Sequence, residues 1–407
     1  MAEEMRIVLR NYGKIDPLKI EDYLAQGGYK ALEKARSMGQ AALIDDVKKS
    51  NLRGRGGAGF NCGMKWSFAA SATADQKYVI CNADEGEPGT YKDRLIMEND
   101  PQSLLEGMAI CAYAIGANQG YIYCRGEYPQ VIEILNQAID QAKAQGLLGD
   151  FDIEVRSGAG AYVCGEETAL IESIEGSRGE PRFKPPFPPV QGLWAKPTIV
   201  NNVETFANIP VIVDKGGAWY ADIGNPAYPG TKVFTLTGDV NNRTFFEVPT
   251  DTTIRALVFK FGGGIRGGKK FKAVQIGGTS GAFIPESLLD TQVAFDAMSA
   301  IGATLGSGAT FVLDETRDLV DVSTRIAKFF EHESCGKCAP CREGTARMHE
   351  LMKKLNEGKG SSKDVALLEK LGRVMSYSCL CGLGQAAPAP VLTTIKHFPA
   401  DYNAKLM

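Results

Sequence analysis

The sequence predicts an α/β fold with a largely parallel sheet, then a small α+β unit, then a helical C-terminal part. Three observations carry this. First, short apolar runs alternate with a helical one: "KYVICNADEG" reads as a strand over Tyr78–Cys81, "YIYC" (121–124) and "FDIEVRSG" (151–158) as two more. Between the last two, Val131, Ile132, Ile134, Leu135 and Ile139 recur close to a 3.6 period. Strand, helix and strand in alternation build a parallel sheet layered with helices. Second, the texture changes at Thr231, where "TKVFTLTGDVNNRTFFEVP" alternates around a turn and "GGGIRGGKKFKAVQIGG" later returns to glycine and strand. Third, Leu319, Val322, Ile326 and Phe329 form an amphipathic stripe that Met348, Leu351, Met352 and Leu355 repeat. These changes divide the chain into residues 1–229, 230–313 and 314–407.

The remaining stretches follow from local chemistry. Residues 1 to 50 are introductory, with helical patches broken at Gly27-Gly28. The run "GMAICAYAIGANQGYIYC" (107–124) is uncharged, but Asn118, Gln119 and its glycines make it a buried helix, a turn and a strand rather than a membrane span. "GEPRFKPPFPPVQGLWAKP" (179–197) is too rich in proline for helix or central strand and reads as an ordered loop. "SSKDVALLEKLGRVM" is a further helix with Ser361 and Asp364 as its capping pair.

Composition narrows the function. With 44% apolar residues the 407-residue chain can bury sizeable cores, and 45 Lys and Arg against 48 Asp and Glu exclude a general nucleic-acid binder. "MAEEMRIVLR" lacks the features of a signal peptide, so a cytoplasmic protein without a transmembrane segment is expected. Ten cysteines in such a chain point away from disulfides; Cys62, Cys81, Cys111, Cys124 and Cys164 are scattered and read as small buried hydrophobes, while the others cluster in the last quarter.

The strongest single signal is "HESCGKCAPCREGT". Cys335, Cys338 and Cys341 stand three apart, a run that meets three corners of a [4Fe–4S] cubane. Zinc modules usually use two separated Cys-x-x-Cys pairs, so a zinc clip on a non-catalytic scaffold is the weaker reading. Thr345 stands where a ferredoxin repeat would place its fourth cysteine. The fourth ligand is therefore remote, and spacing leaves Cys379 and Cys381 of "YSCLCGLGQ" equally open.

Elsewhere, "RGRGGAGF" (53–60) is a glycine-dense loop whose amides can approach a phosphate or a flat ring, with Lys65 and Trp66 following. "CNADEGEPGTYKDR" gathers Asp84, Glu85 and Glu87 at a strand's C-terminal end, where open α/β sheets bind ligands. "GAGAYVCGEETAL" adds Glu166 and Glu167 at a helix start, and "PTIVNNVET" sets the amides of Asn201 and Asn202 side by side.

Taken in order, "RGRGGAGF…GMKW", "NADEGEPGTYKDR", "AYVCGEETAL", "PRFKPPFP", "TIVNNVET", "ESCGKCAPCREGT" and "LCGLGQ" resemble the family of NADH-binding flavoprotein subunits. That family includes the 51-kDa subunit of respiratory complex I and its relatives in NAD-linked hydrogenases and formate dehydrogenases. The resemblance implies a Rossmann-like FMN and NADH domain, a ubiquitin-like β-grasp domain and a C-terminal helical bundle with one [4Fe–4S] cluster. It implies FMN held by Gly54, Gly56, Lys65, Asn82, Asp84, Tyr162, Gly165, Glu166, Asn201, Asn202 and Thr205. NADH would meet Phe60, Phe68 and Phe187 at its adenine, Glu87 at its nicotinamide and Glu167 at its adenosine ribose hydroxyls, with Lys184 also in its site. A carboxylate at Glu167 would favour NADH over NADPH. The fourth cluster ligand implied is Cys381. Hydride would pass between NAD(H) and FMN, and single electrons through the cluster to partner subunits.

The opening "IVLRNYGKIDPLKIEDYLAQGGYKALEKA" is closest in style to the hydrogenase and formate dehydrogenase branch. The expected setting is a hetero-oligomeric NAD-linked hydrogenase. Its partners would be a thioredoxin-like [2Fe–2S] subunit and a larger iron–sulfur catalytic subunit. An NAD-dependent formate dehydrogenase and respiratory complex I are the alternatives. Two positions depart from the family pattern, Asn61-Cys62 in place of Pro-Thr and Gln102 in place of His.

Overall fold

A computed structural model describes residues 3–407; Met1 and Ala2, with which the first predicted segment begins, lie outside the described residues. The chain opens with helices α1 (Ile20–Ala25), α2 (Lys30–Met38) and α3 (Gln40–Lys49), interrupted at Gly27-Gly28 as expected. The glycine loop follows, closed by the Gly54 amide on the Phe60 carbonyl at 2.9 Å. Asn61 then caps α4 (Cys62–Ser71) by accepting the Met64 amide at 2.9 Å, so asparagine suits this position.

The first sheet contains β1 (Tyr78–Ala83), β2 (Gln119–Cys124), β3 (Asp152–Ser157) and β4 (Thr198–Asn202). All its pairings are parallel, in the order β3-β2-β1-β4. Helices α5 (Lys92–Asn99), α6 (Pro101–Ile115), α7 (Pro129–Ala144), α8 (Glu167–Ile174), α9 (Val203–Lys215) and α10 (Gly217–Ala221) lie between and after these strands. The 107–124 stretch is the end of α6, a turn at Gly116 and β2, as its composition predicts. Alternation along β1 explains the layering. Val79, Cys81 and Ala83 pack with α2, α3, α6 and α9, while Ile80 faces the opposite core with Tyr121, Tyr123 and Val200. At Gly107 a Cβ would stand 2.2 Å from the Phe206 carbonyl oxygen, so glycine is what lets α6 and α9 approach this closely.

A two-stranded ribbon of β5 (Gly224–Asn225) and β6 (Tyr228–Pro229) leads into a second sheet. It holds β7 (Thr231–Gly238), β8 (Thr244–Pro249), β9 (Phe271–Ile276), β10 (Ala282–Ile284) and β11 (Ala309–Asp314), with α11 (Phe295–Ala300) before β11. The order is β10-β9-β11-β7-β8, antiparallel except for β7 beside β11. Glu247 on β8 ties the N-terminal segment to this sheet. Its buried carboxylate accepts the successive amides of Ile7, Val8 and Leu9 at 3.0, 3.0 and 2.9 Å.

The last part is helical: α12 (Leu319–Glu333), α13 (Ala339–Asn356), α14 (Ser362–Ser378), α15 (Gly382–Ala386), α16 (Ala389–His397) and α17 (Pro399–Asn403). The predicted Ser361–Asp364 capping box starts α14. Buried residues of α12, α13 and α14 join α8 and the inner face of the first sheet in one continuous core. Among the described residues, no helix is long and apolar enough to cross a membrane.

Candidate functional site

The strand order places a switch point between β1 and β4. From β1 the chain runs on to β2, and from β3 it crosses back to β4 on the other side. Asn82 and Asn202 are in register there, at the carboxyl ends of the two strands. Ligands of open α/β sheets bind in that crevice. A cavity of about 270 Å³ opens at this place, lined by Gly56, Asn82, Asp84, Glu87, Tyr162, Gly165, Glu166 and Asn202. A second cavity, about 340 Å³, adjoins it through Asp84, Gly86, Glu87, Thr90 and Tyr162 and continues to Arg125, Glu127, Phe329 and Glu333.

The carboxylates here are held from the protein side. The Tyr162 hydroxyl donates to Glu87 at 2.6 Å, and the Ser280 amide donates to its other oxygen at 2.9 Å. Burial raises the Glu87 pKa. Gly278, at φ +84°, permits this contact, since a Cβ would fall 2.2 Å from the Glu87 Cγ. Glu166 caps α8 through the amides of Thr168 and Ala169 at 2.9 and 3.0 Å. Glu85 serves as a helix anchor, accepting the Asp93 and Arg94 amides at 2.8 and 3.0 Å. Asp84 differs. Its Oδ2 is buried and has no partner, and burial pushes its pKa up to about 7 against the pull of Arg125. An orphaned acceptor on a residue that lines the cavity suits a ligand that brings a ring N–H or a hydroxyl. Beside it, a Cβ on Gly56 would come within 3.0 Å of the Asn202 Cβ, so only a bare backbone leaves this cradle open. Both features fit a flavin.

Four other residues in the predicted FMN set lie outside the cavity wall. Gly54 closes the glycine loop. The Thr205 hydroxyl accepts the Arg55 amide at 2.9 Å and so anchors that loop from behind. Asn201 faces away from the cavity because neighbours on a strand point to opposite sides, and its amide meets the Trp66 indole and Cys62. Lys65 reaches the Val200 carbonyl and Glu167, both at 2.8 Å. Glu167 also takes Lys184 at 3.0 Å. Burial opposes its charge, but the two ammonium groups overcome this and bring its pKa down to about 2. Phe60, Phe68 and Phe187 are exposed at 53%, 47% and 55%.

Sequence reasoning missed the charged floor. Lys92, Asp93 and Ser307 line the cavity with Asn202. The Lys92 ammonium lies 2.6 Å from Asp93, 3.0 Å from Asn202 and 3.0 Å from Glu204. Glu204 takes a second ammonium from Lys232 at 2.6 Å and the Val233 amide at 2.8 Å. Lys92, Glu204 and Lys232 are all buried. Lys92 and Asp93 sit within "TYKDR", but nothing local ties them to Glu204 and Lys232, which are distant in sequence.

The cysteines form a second centre. Cys335, Cys338, Cys341 and Cys381 ring one small cavity with Val163, Pro181 and Leu383. Among the described residues no three His, Cys, Asp or Glu side chains close on the position of a single ion. The donor set is all sulfur, which suits an iron–sulfur cluster. Cys379 is buried beside Cys341, its sulfur packed on Gly384, and does not line that cavity. Val163 and Leu383 also line the cavity at the β1–β4 switch point, so the two centres share a wall.

Comparison with known proteins gives this arrangement its class. Residues 47–211 match the Nuo51 FMN-binding domain, and residues 321–405 match the NADH-ubiquinone oxidoreductase-F iron-sulfur binding region. The chain belongs to this family of oxidoreductase flavoproteins, with FMN and a [4Fe–4S] region as cofactors and NADH as substrate. Among its relatives, NADP-reducing hydrogenase subunit HndC of Solidesulfovibrio fructosivorans is 48% identical, over 99% of this chain and 84% of the relative. The F subunit of NADH-quinone oxidoreductase from Aquifex aeolicus (strain VF5) is 46% identical, over 98% and 94%. The crystal structure of an NAD+-reducing [NiFe]-hydrogenase in the H2-reduced state superposes with a TM-score of 0.87 at 38% identity. It covers 93% of this chain, which in turn spans 65% of that longer chain.

Proposed function

We propose that the protein moves electrons between NAD(H) and partner subunits of a soluble NAD-linked hydrogenase, entering at the switch-point cavity and leaving at the cysteine cavity. The shared wall of Val163 and Leu383 is the observation that carries this reading. Bound FMN supplies hydride exchange with the nicotinamide and release of electrons one at a time. The chain supplies position and charge. Asp84 accepts a donor from the flavin, Asn82, Asn202 and the Gly56 backbone flank it, and Glu87 and Tyr162 orient the nicotinamide end. Phe60, Phe68 and Phe187 receive the adenine, and Glu167 the adenosine ribose once Lys65 and Lys184 yield it. Cys335, Cys338, Cys341 and Cys381 hold the cluster.

In domain terms, residues 1–229 are read as Rossmann-like, 230–313 as β-grasp and 314–407 as a helical bundle. Strand order, the mixed second sheet and the helical run support these assignments. The partners proposed are a thioredoxin-like [2Fe–2S] subunit and a larger iron–sulfur hydrogenase subunit in the cytoplasm. The relatives named as hydrogenases support this setting, and those named as NADH-quinone oxidoreductase F subunits support complex I as the alternative.

Anaerobic purification with FMN and iron analysis, followed by viologen reduction with NADH and with NADPH, tests the reading. FMN, about four iron atoms per chain and a faster rate with NADH are expected. Zinc without flavin would overturn it. The NADP-reducing relative makes NADPH the second candidate, and the two lysines on Glu167 are the feature that could admit its phosphate.

A further inference from the structure

This inference rests on the reading that electrons leave at the cysteine cavity. Helix α14 buries Asp364, Leu368, Gly372 and Met375 on its inner side. Its outer side carries Lys363, Leu367, Lys370, Arg373, Val374 and Tyr377, all exposed. Tyr377 is 91% exposed and Val374 51%. Positions 363, 367, 370, 374 and 377 fall three and four apart and form one stripe along the helix. No carboxylate stands exposed on this helix: Asp364 is turned onto Ser361 and Lys354, and Glu369 is half-buried. Residues 319–407 carry 13 Lys and Arg against 9 Asp and Glu, although the whole chain has 45 against 48. The stripe ends two residues before Cys379 and four before Cys381. Cys335, Cys338 and Cys381 are half-buried and not sealed by the fold.

An aromatic and aliphatic centre rimmed by one sign of charge has the anatomy of a protein-binding face. The sign selects the partner, since cations steer and register an acidic surface. We propose that the outer face of α14 docks an acidic iron–sulfur electron carrier. The carrier seats on Tyr377 and Val374, meets Lys363, Lys370 and Arg373 with carboxylates, and exchanges single electrons with the centre held by the four cysteines. Two reduced carriers, NAD+ and one proton then give two oxidised carriers and NADH.

The test uses the holoprotein with three electron partners. Plant-type [2Fe–2S] ferredoxin, acidic, is reduced, freed of reductant and mixed with protein and NAD+. Basic cytochrome c and a small viologen are each reduced with NADH. The wild-type ferredoxin rate should fall with added salt. K370E/R373E should lower kcat/KM for ferredoxin about tenfold and raise it for cytochrome c. Y377A should lower the ferredoxin rate about tenfold and keep its salt dependence. Viologen reduction should be unchanged in both variants. Ferredoxin rates equal to wild type in both variants overturn the docking face. Failure of the wild-type holoprotein to reduce viologen overturns the underlying function instead.

Discussion

The cavity at the ends of β1 and β4 and the cavity ringed by cysteines share a wall, yet they are held in opposite ways. Around the first, carboxylates are fixed by the protein's own donors: Glu87 by Tyr162 and Ser280, Glu166 by the α8 amides, Glu204 by two lysines. Around the second, the walls between the cysteines are Val163, Pro181, Leu380 and Leu383 with the single cation Lys337, and the hydroxyl that meets a ring thiol is that of Ser334, 3.3 Å from the Cys341 sulfur. The difference teaches where each site draws its organisation. The switch-point cavity is preorganised by the chain, whereas the cysteine cavity would take its bonds from the metal centre proposed for it.

Breaking the contrast at the cysteines should give the largest effect. Cys338→Ser or Cys381→Ser is expected to remove essentially all bound iron, measured chemically after anaerobic purification, while FMN stays bound. Cys379→Ser should keep its iron; the reverse pattern for Cys379 and Cys381 would reassign the fourth ligand. At the other centre, Glu204→Leu leaves two buried ammonium groups without their shared carboxylate. A loss of about 3–5 kcal/mol in denaturant unfolding of the apoprotein is expected, and a loss under ~1 kcal/mol would show that the network holds nothing together.

Asp84 gives the third test. Its pKa is raised from 3.8 to about 7, so the folded apoprotein holds a proton that the unfolded chain has released. The associated stability is present below pH ~4 and declines as pH rises through about 7. Asp84→Asn should flatten this decline, by roughly 2–4 kcal/mol at pH 8. Parallel pH profiles for the variant and wild type would mean that Asp84 is solvated. The smallest effect is set by Glu167. Glu167→Gln should narrow the NADH preference in viologen assays about tenfold, some ~1.4 kcal/mol.

What could be read from the sequence was local. The cysteine run, the glycine loop and the acidic end of β1 each lie within one turn or strand end, and each borders a cavity. Period 2 also separates Asn202 from Asn201, but family likeness implies both on the flavin, and the strand sends Asn201 to Trp66. Gln102, a departure from the family pattern, proves to be a core group between the Tyr29 hydroxyl and the Ala138 carbonyl. The Lys92–Glu204–Lys232 floor escaped because its members come from α5, α9 and β7 and meet only after both sheets have formed. Buried charge at that spacing has no periodic signature, and tertiary packing alone decides it.

Glu204 also bears on how the chain can be cut and recombined. Its two lysines come from opposite sides of Gly230, Lys92 before it and Lys232 after it. A fragment ending there would keep Gly56, Asn82, Asp84 and Asn202 of the switch-point cavity but lose its Ser307 and Leu383 wall, one ammonium and the Val233 amide, while the complementary fragment would carry Lys232 with no counter-ion. Neither piece is a self-sufficient cassette, so grafting the flavin-binding half onto another scaffold requires carrying β7 with it or neutralising the pair in both halves.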